Sequence, residues 1–196
     1  MSPAGPSPEF FASLTRTCKT RDGREILIRP IRPEDAKIEW QFVHDLSPVS
    51  RYQRFLSALR DLTPAMVETF TRVDYGRNMA LIATAKGKGD AKEFEIAVGR
   101  YVADRDGRGC EFALAVADDW QDCGVGYQIL TDLIQAARRQ GIGTMRGLVF
   151  ATNSRMIRLI KDLGFAVVRS AEDATVVEAV MDLAPPDGTP PTRTGT

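Results

Sequence analysis

The sequence lacks an excess of either charge and a long apolar run. It has 26 basic and 26 acidic residues among 196, so it shows no footprint of a nonspecific nucleic-acid binder or of a protein attracted to anionic membranes. No apolar run approaches the ~20 residues that cross a bilayer. The N-terminus has neither the basic start nor the apolar core of a signal peptide. We therefore expect a cytoplasmic protein with no nucleic-acid or membrane partner.

Cysteine and histidine are scarce, which limits metal and thiol chemistry. The three cysteines, Cys18, Cys110 and Cys123, are an odd number without the spacing of a metal site or a disulfide framework. We expect reduced thiols and no metal. The single histidine, His44, lies in a predicted helix that begins at Pro33. A solvated helix-end residue explains it more simply than a catalytic one, although the catalytic alternative stays open.

The length fits one domain with a substantial core. Both ends are rich in Pro, Gly, Ser and Thr, a composition typical of disorder. We expect residues 1–20 to form a largely disordered N-terminal tail, residues 21–184 to form the folded domain, and residues 185–196 to form a disordered C-terminal tail.

Hydrophobic periodicity between the ends predicts a mixed α/β fold. The order is strand, helices, three strands, helix, strand, helix and two strands. The predicted strands are 25–30, 78–84, 94–102, 110–117, 147–150, 165–169 and 175–181, with a hairpin at 86–90 and helices beginning near Pro33, Ser47, Thr63, Gly124 and Asn153. These elements predict a mixed central sheet of about seven strands, antiparallel at first and then partly parallel, flanked by helices.

The stretch Val116–Gly126 joins a predicted strand to a strongly periodic helix. Gln121, Gly124 and Gly126 form a tight turn at the helix N-terminus, where unpaired amides and the helix dipole suit a phosphate. An ordinary strand–turn–helix explains the glycines equally well. A dinucleotide-binding Rossmann turn is disfavoured because position 129 is Ile129 rather than glycine and no acid ends the next strand.

Four segments resemble one family. The turn Gln121-x-x-Gly124-x-Gly126 is similar to the pyrophosphate loop of the GNAT superfamily of N-acetyltransferases, and Asn153-x-x-Met156-x-x-Leu159-x-x-x-Leu163-Gly164-Phe165 resembles its second cofactor segment. Arg29-Pro-Ile-Arg-Pro-Glu-Asp35 and Ser47-Pro-x-Ser-Arg-Tyr-x-Arg-Phe55 resemble the acetyltransferase domain of bacterial Pat-type protein lysine acetyltransferases. The similarity covers residues 24–183 and implies the GNAT fold.

The resemblance implies direct transfer of an acetyl group from acetyl-CoA (coenzyme A) to an acceptor amine, with no metal. The implied acceptor is a protein lysine such as that of an acyl-CoA synthetase, and the protein would be a monomer or homodimer. A small amine or an amino acid is the alternative acceptor, and a non-catalytic acyl-CoA-sensing module is the alternative function. The residues expected to bind acetyl-CoA are Ala115, Val116, Gln121, Asp122, Cys123, Gly124, Val125, Gly126, Tyr127 and Asn153.

Glu111 is the candidate general base. Strand alternation places it on one face with Ala113, Ala115 and Ala117, which leaves room for a ligand beside the carboxylate. A glutamate in solvent, or an ion pair with Arg108, explains the pattern as well. Pat-type enzymes carry a catalytic glutamate in a similar Glu-Phe-Ala context, which implies the catalytic role. An ordinary carboxylate is a weak base for an ammonium group, so the role requires burial or a relaying water.

Two positions depart from the family pattern. Many members have a tyrosine as general acid seven residues after the position of Asn153, where this chain has Ile160, so the acid is unassigned. Tyr127 stands where many relatives have a basic residue, which leaves the contact to the 3′-phosphate of coenzyme A without a candidate. Asn153 either caps its helix or donates to the cofactor arm, and the two roles are compatible.

The remaining candidates have weaker support. Cys123 in the phosphate turn is a conceivable nucleophile, since helix N-termini lower thiol pKa values, but no base lies near it in sequence. Arg51, Tyr52 and Arg54 are expected to form a polar edge of a helix on the acceptor side. Tyr52 contacts substrate or, more simply, belongs to the core.

Overall fold

The computed structural model describes residues 8–87, 92–171 and 173–183. Among them eight strands form one sheet: β1 (Arg16–Lys19), β2 (Glu25–Pro30), β3 (Asn78–Lys86), β4 (Glu93–Ala103), β5 (Gly109–Val116), β6 (Thr144–Phe150), β7 (Ala166–Arg169) and β8 (Val176–Asp182). The α-helices are α1 (Pro8–Ser13), α2 (Ala36–Asp45), α3 (Pro48–Phe55), α4 (Pro64–Thr71), α5 (Val125–Arg139) and α6 (Ser154–Asp162).

The strands lie in the order β1-β2-β3-β4-β5-β6-β8-β7. Neighbouring strands are antiparallel except β5 and β6, which are parallel. A parallel pair needs a crossover, and α5 supplies it between these two strands. The predicted α/β class and the change from antiparallel to partly parallel pairing are confirmed. The sheet has eight strands rather than about seven.

The additional strand comes from residues assigned to the N-terminal tail. Within residues 8–20 the chain forms α1 and β1, so the prediction that residues 1–20 are largely disordered is wrong for this part. Strand β1 pairs with β2, and Arg16 joins it to α5 through an ion pair with Asp132 at 2.8 Å. The sequence Arg-Thr-Cys-Lys carries no apolar run, because an edge strand needs little burial. The predicted C-terminal tail, 185–196, and most of the 86–90 hairpin lie outside the described residues.

Two apolar clusters fill the two faces of the sheet. One packs α5 against β3, β4 and β5, with Ile129 and Leu133 fully buried. The other packs α2 and α4 on the opposite face, around Phe42 and Ile82. Residues of β5 alternate between the two clusters, so Phe112 belongs to the first and Ala115 to the second.

The helices of the described region begin where local signals predict. Ser47, Thr63 and Asn153 are N-caps whose side-chain oxygens accept a backbone N–H from the first turn of α3, α4 and α6. Pro33 instead begins a short 3₁₀ turn, Pro33–Asp35, that leads into α2. None of the described helices has the length and apolarity that crossing a bilayer requires.

Candidate active site

The central feature of the site is a separation of two parallel strands. Strands β5 and β6 pair only through Gly109–Thr144, Cys110–Met145 and Glu111–Arg146. Both strands continue beyond this point, β5 to Val116 and β6 to Phe150, but no longer as partners. The result is a cleft between β5 and β6 of about 1030 Å³ that extends past the N-terminus of α5. An extended ligand could bind the unpaired edge of β5 as an added strand.

Most of the predicted site residues line this cleft. They are Glu111, Ala115, Val116, Gln121, Asp122, Gly124, Gly126, Tyr127 and Asn153. The side chains of Cys123 and Val125 are buried outside it. Cys123 Sγ lies 2.7 Å from the Trp120 carbonyl oxygen, to which it donates. That burial and orientation argue against a nucleophilic role for Cys123 and leave its backbone amide as its predicted contribution.

The turn before α5 has the backbone geometry of a close-approach site. Asp122 and Gly124 adopt φ values of 59° and 90° in the left-handed region. Gly124 is the N-cap of α5 and, having no side chain, leaves the first amides of the helix without a side-chain partner. A Cβ on Gly126 would lie 3.3–3.4 Å from the side chains of Leu114, Val116 and Leu159. Glycine at 126 therefore allows the first turn of α5 to sit against β5.

Glu111 stands at the point where the strands separate. Its side chain is exposed and lines the cleft. Within the described residues it makes no ion pair, so the predicted alternative of a structural pair with Arg108 is not observed. The neighbouring Arg146 guanidinium is engaged by Asp104, with N–O distances of 2.7 and 2.8 Å, which raises the pKa of Arg146 and lowers that of Asp104. Because Glu111 is exposed, relay through water is the remaining route for the predicted base.

A hydrogen-bonded link joins α3 to the loop before α5. The Asp118 carboxylate accepts from the Ser47 backbone N–H at 3.0 Å, from Ser47 Oγ at 2.9 Å and from Ser50 Oγ at 2.8 Å. Partial burial tends to raise the pKa of Asp118, but these hydrogen bonds outweigh it and the net shift is downward. Gln121 Nε2 donates to Ser50 Oγ and to the Val116 carbonyl, both at 3.2 Å. The link holds α3 over the cleft.

Asn153 caps α6, since its side-chain oxygen accepts the Met156 N–H at 3.1 Å. The amide nitrogen remains for a ligand, so the two predicted roles stay compatible. Ile160 is fully buried in the core, and the general acid stays unassigned.

The remaining candidates on α2 and α3 differ in their exposure and in the groups that they contact. Tyr52 is 47% exposed and stacks on Phe150 with ring centroids 4.9 Å apart, so it is not a core residue. Arg51 donates to the carbonyls of His44 and Leu46 at 2.9 and 3.0 Å, which fixes the start of α3. His44 is exposed and its Nδ1 lies 3.0 Å from an Asp61 carboxylate oxygen, away from the cleft, as a helix-end histidine would be.

Arg54 lines the cleft and lies within electrostatic range of two buried acids, Glu39 and Glu95. The sequence analysis did not predict a role for either acid. Partial burial and the Arg100 guanidinium lower the pKa of Arg54. Arg100 pairs with buried Glu39 at 3.0 Å. Glu95 is 5% exposed, and its carboxylate lies beside that of Glu39 with no donor from another described residue. Burial and the charge of Glu39 raise the pKa of Glu95 well above its usual value. The charged residues Glu95 and Arg100 within the mainly apolar strand β4 were the available signal.

Comparison with known proteins identifies relatives over most of the chain. The family model described as "Acetyltransferase (GNAT) domain" matches residues 25–166. Acetyltransferase PA5475 of Pseudomonas aeruginosa is 37% identical over 156 residues, which cover 80% of this chain and 83% of that protein. Acetyltransferase Pat of Mycolicibacterium smegmatis is 30% identical over 175 residues, 88% of this chain and 50% of that protein. The chain thus spans about half the length of the M. smegmatis relative.

Solved structures agree with these sequence relatives. The GNAT domain of S. lividans PAT superposes with a TM-score of 0.79 and 30% identity, covering 87% of this chain and 98% of that domain. The putative acetyltransferase yncA of Salmonella typhimurium, solved with its cofactor acetyl-CoA, superposes with a TM-score of 0.62 at 17% identity, covering 85% and 98%. The second likeness concerns the fold alone.

Proposed function

The chain belongs to the GNAT acetyltransferase family, and we propose that it transfers an acetyl group directly from acetyl-CoA to the ε-amine of a protein lysine. The observation that carries the proposal is the cleft between β5 and β6. It has the turn before α5 at one part of its wall and Glu111 at the point where the strands part. A turn whose free amides suit a phosphate, and a carboxylate on the same continuous surface, support acetyl transfer to an amine.

The residues of the cleft fit acetyl-CoA, which supplies the acetyl group as a thioester. The backbone amides from Gln121 to Tyr127 would hold the diphosphate, because the N-terminus of α5 has no side-chain cap. The unpaired edge of β5 near Ala115 and Val116 would hold the pantetheine arm as an added strand. The amide of Asn153 would donate to the arm, and the Val116 N–H would donate to the thioester oxygen.

Glu111 would remove the proton that keeps a lysine unreactive. A free lysine has a pKa of about 10.4, so about one in a thousand is neutral near pH 7.4, a scarcity worth about 4 kcal/mol. An exposed carboxylate at the strand separation would act through a water between its oxygen and the ammonium group. A coenzyme A thiolate is a tolerable leaving group near neutrality, so the absence of an acid at Ile160 is compatible with turnover.

The rim of the cleft supports a protein acceptor. Val49 and Leu148 line the opening and are 65% and 45% exposed, and Tyr52 lies beside them on α3. Exposed apolar side chains around an opening are typical of a surface that contacts a protein. A lysine, with its long unbranched stem, could reach from such a surface to Glu111. The similarity to the Pat proteins supports the same acceptor.

The test compares acceptors at equal acetyl-CoA concentration. Release of free coenzyme A is measured with an acyl-CoA synthetase, with the same protein after replacement of its modified lysine by arginine, and with free lysine and polyamines. With the acyl-CoA synthetase that keeps its lysine, we expect release of coenzyme A and an acetyl group on that lysine, detected by mass spectrometry. The arginine variant should show neither. Faster release with a free amine would assign a small-molecule acceptor, and binding of acetyl-CoA without transfer to any acceptor would indicate a sensing module.

A further inference from the structure

The loop before α5 carries three acidic side chains beside the proposed diphosphate site. Asp118, Asp119 and Asp122 all lie within it. Asp118 is satisfied by the donors of α3, and Asp122 pairs with Arg155 at 3.1 Å. Asp119 is exposed. Coenzyme A brings several further negative charges, so a cation beside the turn would favour its binding.

The nearby arginines differ in whether they are already engaged. Arg24 pairs with Asp22 at 2.7 Å and lies 3.6 Å above the Trp120 ring, so its guanidinium is held. Arg155 donates to Gln121 at 2.6 Å in addition to its pair with Asp122. Both guanidinium groups therefore already have protein partners within or next to the loop.

Arg21 is held against the turn, but its charge is uncommitted. Its backbone N–H donates to the Cys123 carbonyl at 2.8 Å, which joins the segment between β1 and β2 to the loop. Its Cγ and Nε lie 3.3 and 3.4 Å from the point that a Cβ on Gly124 would occupy, so the absence of a side chain at 124 makes room for it. The side chain is exposed and lines the cleft. Within the described part of the chain, its guanidinium makes no ion pair or hydrogen bond.

We propose that Arg21 binds a phosphate group of coenzyme A. This proposal rests on the proposed function and adds a residue from outside the α5 turn to the donor site. A guanidinium forms strong paired hydrogen bonds with phosphate oxygens. Arg21 thereby supplies the positive charge that Tyr127 does not provide.

The test uses the whole chain, with coenzyme A for binding and acetyl-pantetheine for turnover. Calorimetry gives the Kd of coenzyme A for wild type, Arg21→Ala, Arg21→Lys and the control Lys19→Ala, which removes a charge from the same hairpin outside the cleft. We expect Arg21→Ala to raise the Kd about 10-fold, Arg21→Lys to restore part of the loss because it keeps the charge, and Lys19→Ala to stay within about 2-fold of wild type. The kcat/KM with acetyl-pantetheine, which carries no phosphate, should be unchanged in Arg21→Ala.

The outcomes separate the two proposals. Loss of affinity for coenzyme A but not for 3′-dephospho-coenzyme A assigns Arg21 to the 3′-phosphate, and equal loss for both assigns it to the diphosphate. A wild-type Kd in Arg21→Ala overturns the role of Arg21 and leaves the acetyltransferase proposal standing. The same holds if kcat/KM with acetyl-pantetheine falls by as large a factor as the affinity for coenzyme A. Failure of the wild type to bind coenzyme A overturns both.

Discussion

Glu111 and Arg146 are the last residues that β5 and β6 place side by side in their parallel ladder. Beyond this pair the strands part and the cleft begins. Arg146 forms its ion pair with Asp104 and not with Glu111, and the Glu111 side chain lines the cleft. The relationship places a carboxylate where a donor bound along β5 would end.

Replacement of Glu111 by glutamine should remove the base and keep the shape of the cleft. We expect kcat to fall at least ~100-fold while the Kd of coenzyme A stays near that of wild type. The control is Glu178→Gln, a half-buried glutamate on β8. Steady-state thiol release and calorimetry measure the two quantities. Near-normal kcat in Glu111→Gln would remove Glu111 from the mechanism.

Replacement of Gly126 by alanine should weaken the donor site. The new Cβ would press on Leu114, Val116 and Leu159 at 3.3–3.4 Å and move the first turn of α5 away from β5. We expect the KM for acetyl-CoA to rise about 10-fold, since amide positions govern phosphate binding. Gly76→Ala, where a Cβ would meet little, is the control. An unchanged KM would mean that these amides do not hold the donor.

Replacement of Asp118 by asparagine should loosen α3 from the loop. The lowered pKa of Asp118 means that its contribution to stability is present above the unfolded pKa of about 3.9 and is lost as pH falls through the folded pKa. We expect Asp118→Asn to be less stable by about 1 kcal/mol at pH 7, because the charge-assisted bonds from Ser47 and Ser50 weaken at a solvent-exposed site. Urea unfolding at several pH values checks this. A deficit that stays constant down to pH 3 would contradict the electrostatic explanation.

Replacement of Glu95 by glutamine should stabilise the protein at higher pH. The raised pKa of Glu95 means that the folded state holds a proton that the unfolded state releases above about pH 4.3, so wild-type stability falls as pH rises toward the folded pKa. Glutamine removes this cost and can donate to the unpartnered oxygen of Glu39. We expect Glu95→Gln to gain about 1–3 kcal/mol over wild type at pH 8 and little at pH 4.

The control for Glu95→Gln is Glu25→Gln, which changes an exposed carboxylate on β2. Urea unfolding at pH 4 and pH 8 should show no pH-dependent gain for this variant. If Glu95→Gln is no more stable than wild type at pH 8, burial of the Glu95 carboxyl does not reduce the free energy of unfolding at that pH.

Local signals predicted the helix starts and the turn before α5. These signals act within a few residues, so the sequence shows them directly. They are the hydroxyl caps Ser47 and Thr63 with the prolines that follow them, the asparagine cap Asn153, and the glycines of the turn. The alternation around Glu111 placed it on the correct face for the same reason.

Contacts between distant segments could not be read in this way. Strand β1 is polar and short, and its attachment depends on β2 and on Asp132, 116 residues from Arg16. Asp118 bonds Ser47 across 71 residues, and Arg21 meets Gly124 only after the sheet has formed. These contacts depend on how distant segments pack in three dimensions, and such packing produces no hydrophobic periodicity in the sequence.

The most direct test of the central claim is a crystal structure of the protein with coenzyme A bound. We predict the diphosphate at the amides of Gln121 to Tyr127, the pantetheine arm between β5 and β6, and the thiol directed toward Glu111. A nucleotide bound elsewhere, or an arm that leads the thiol away from Glu111, would contradict the account.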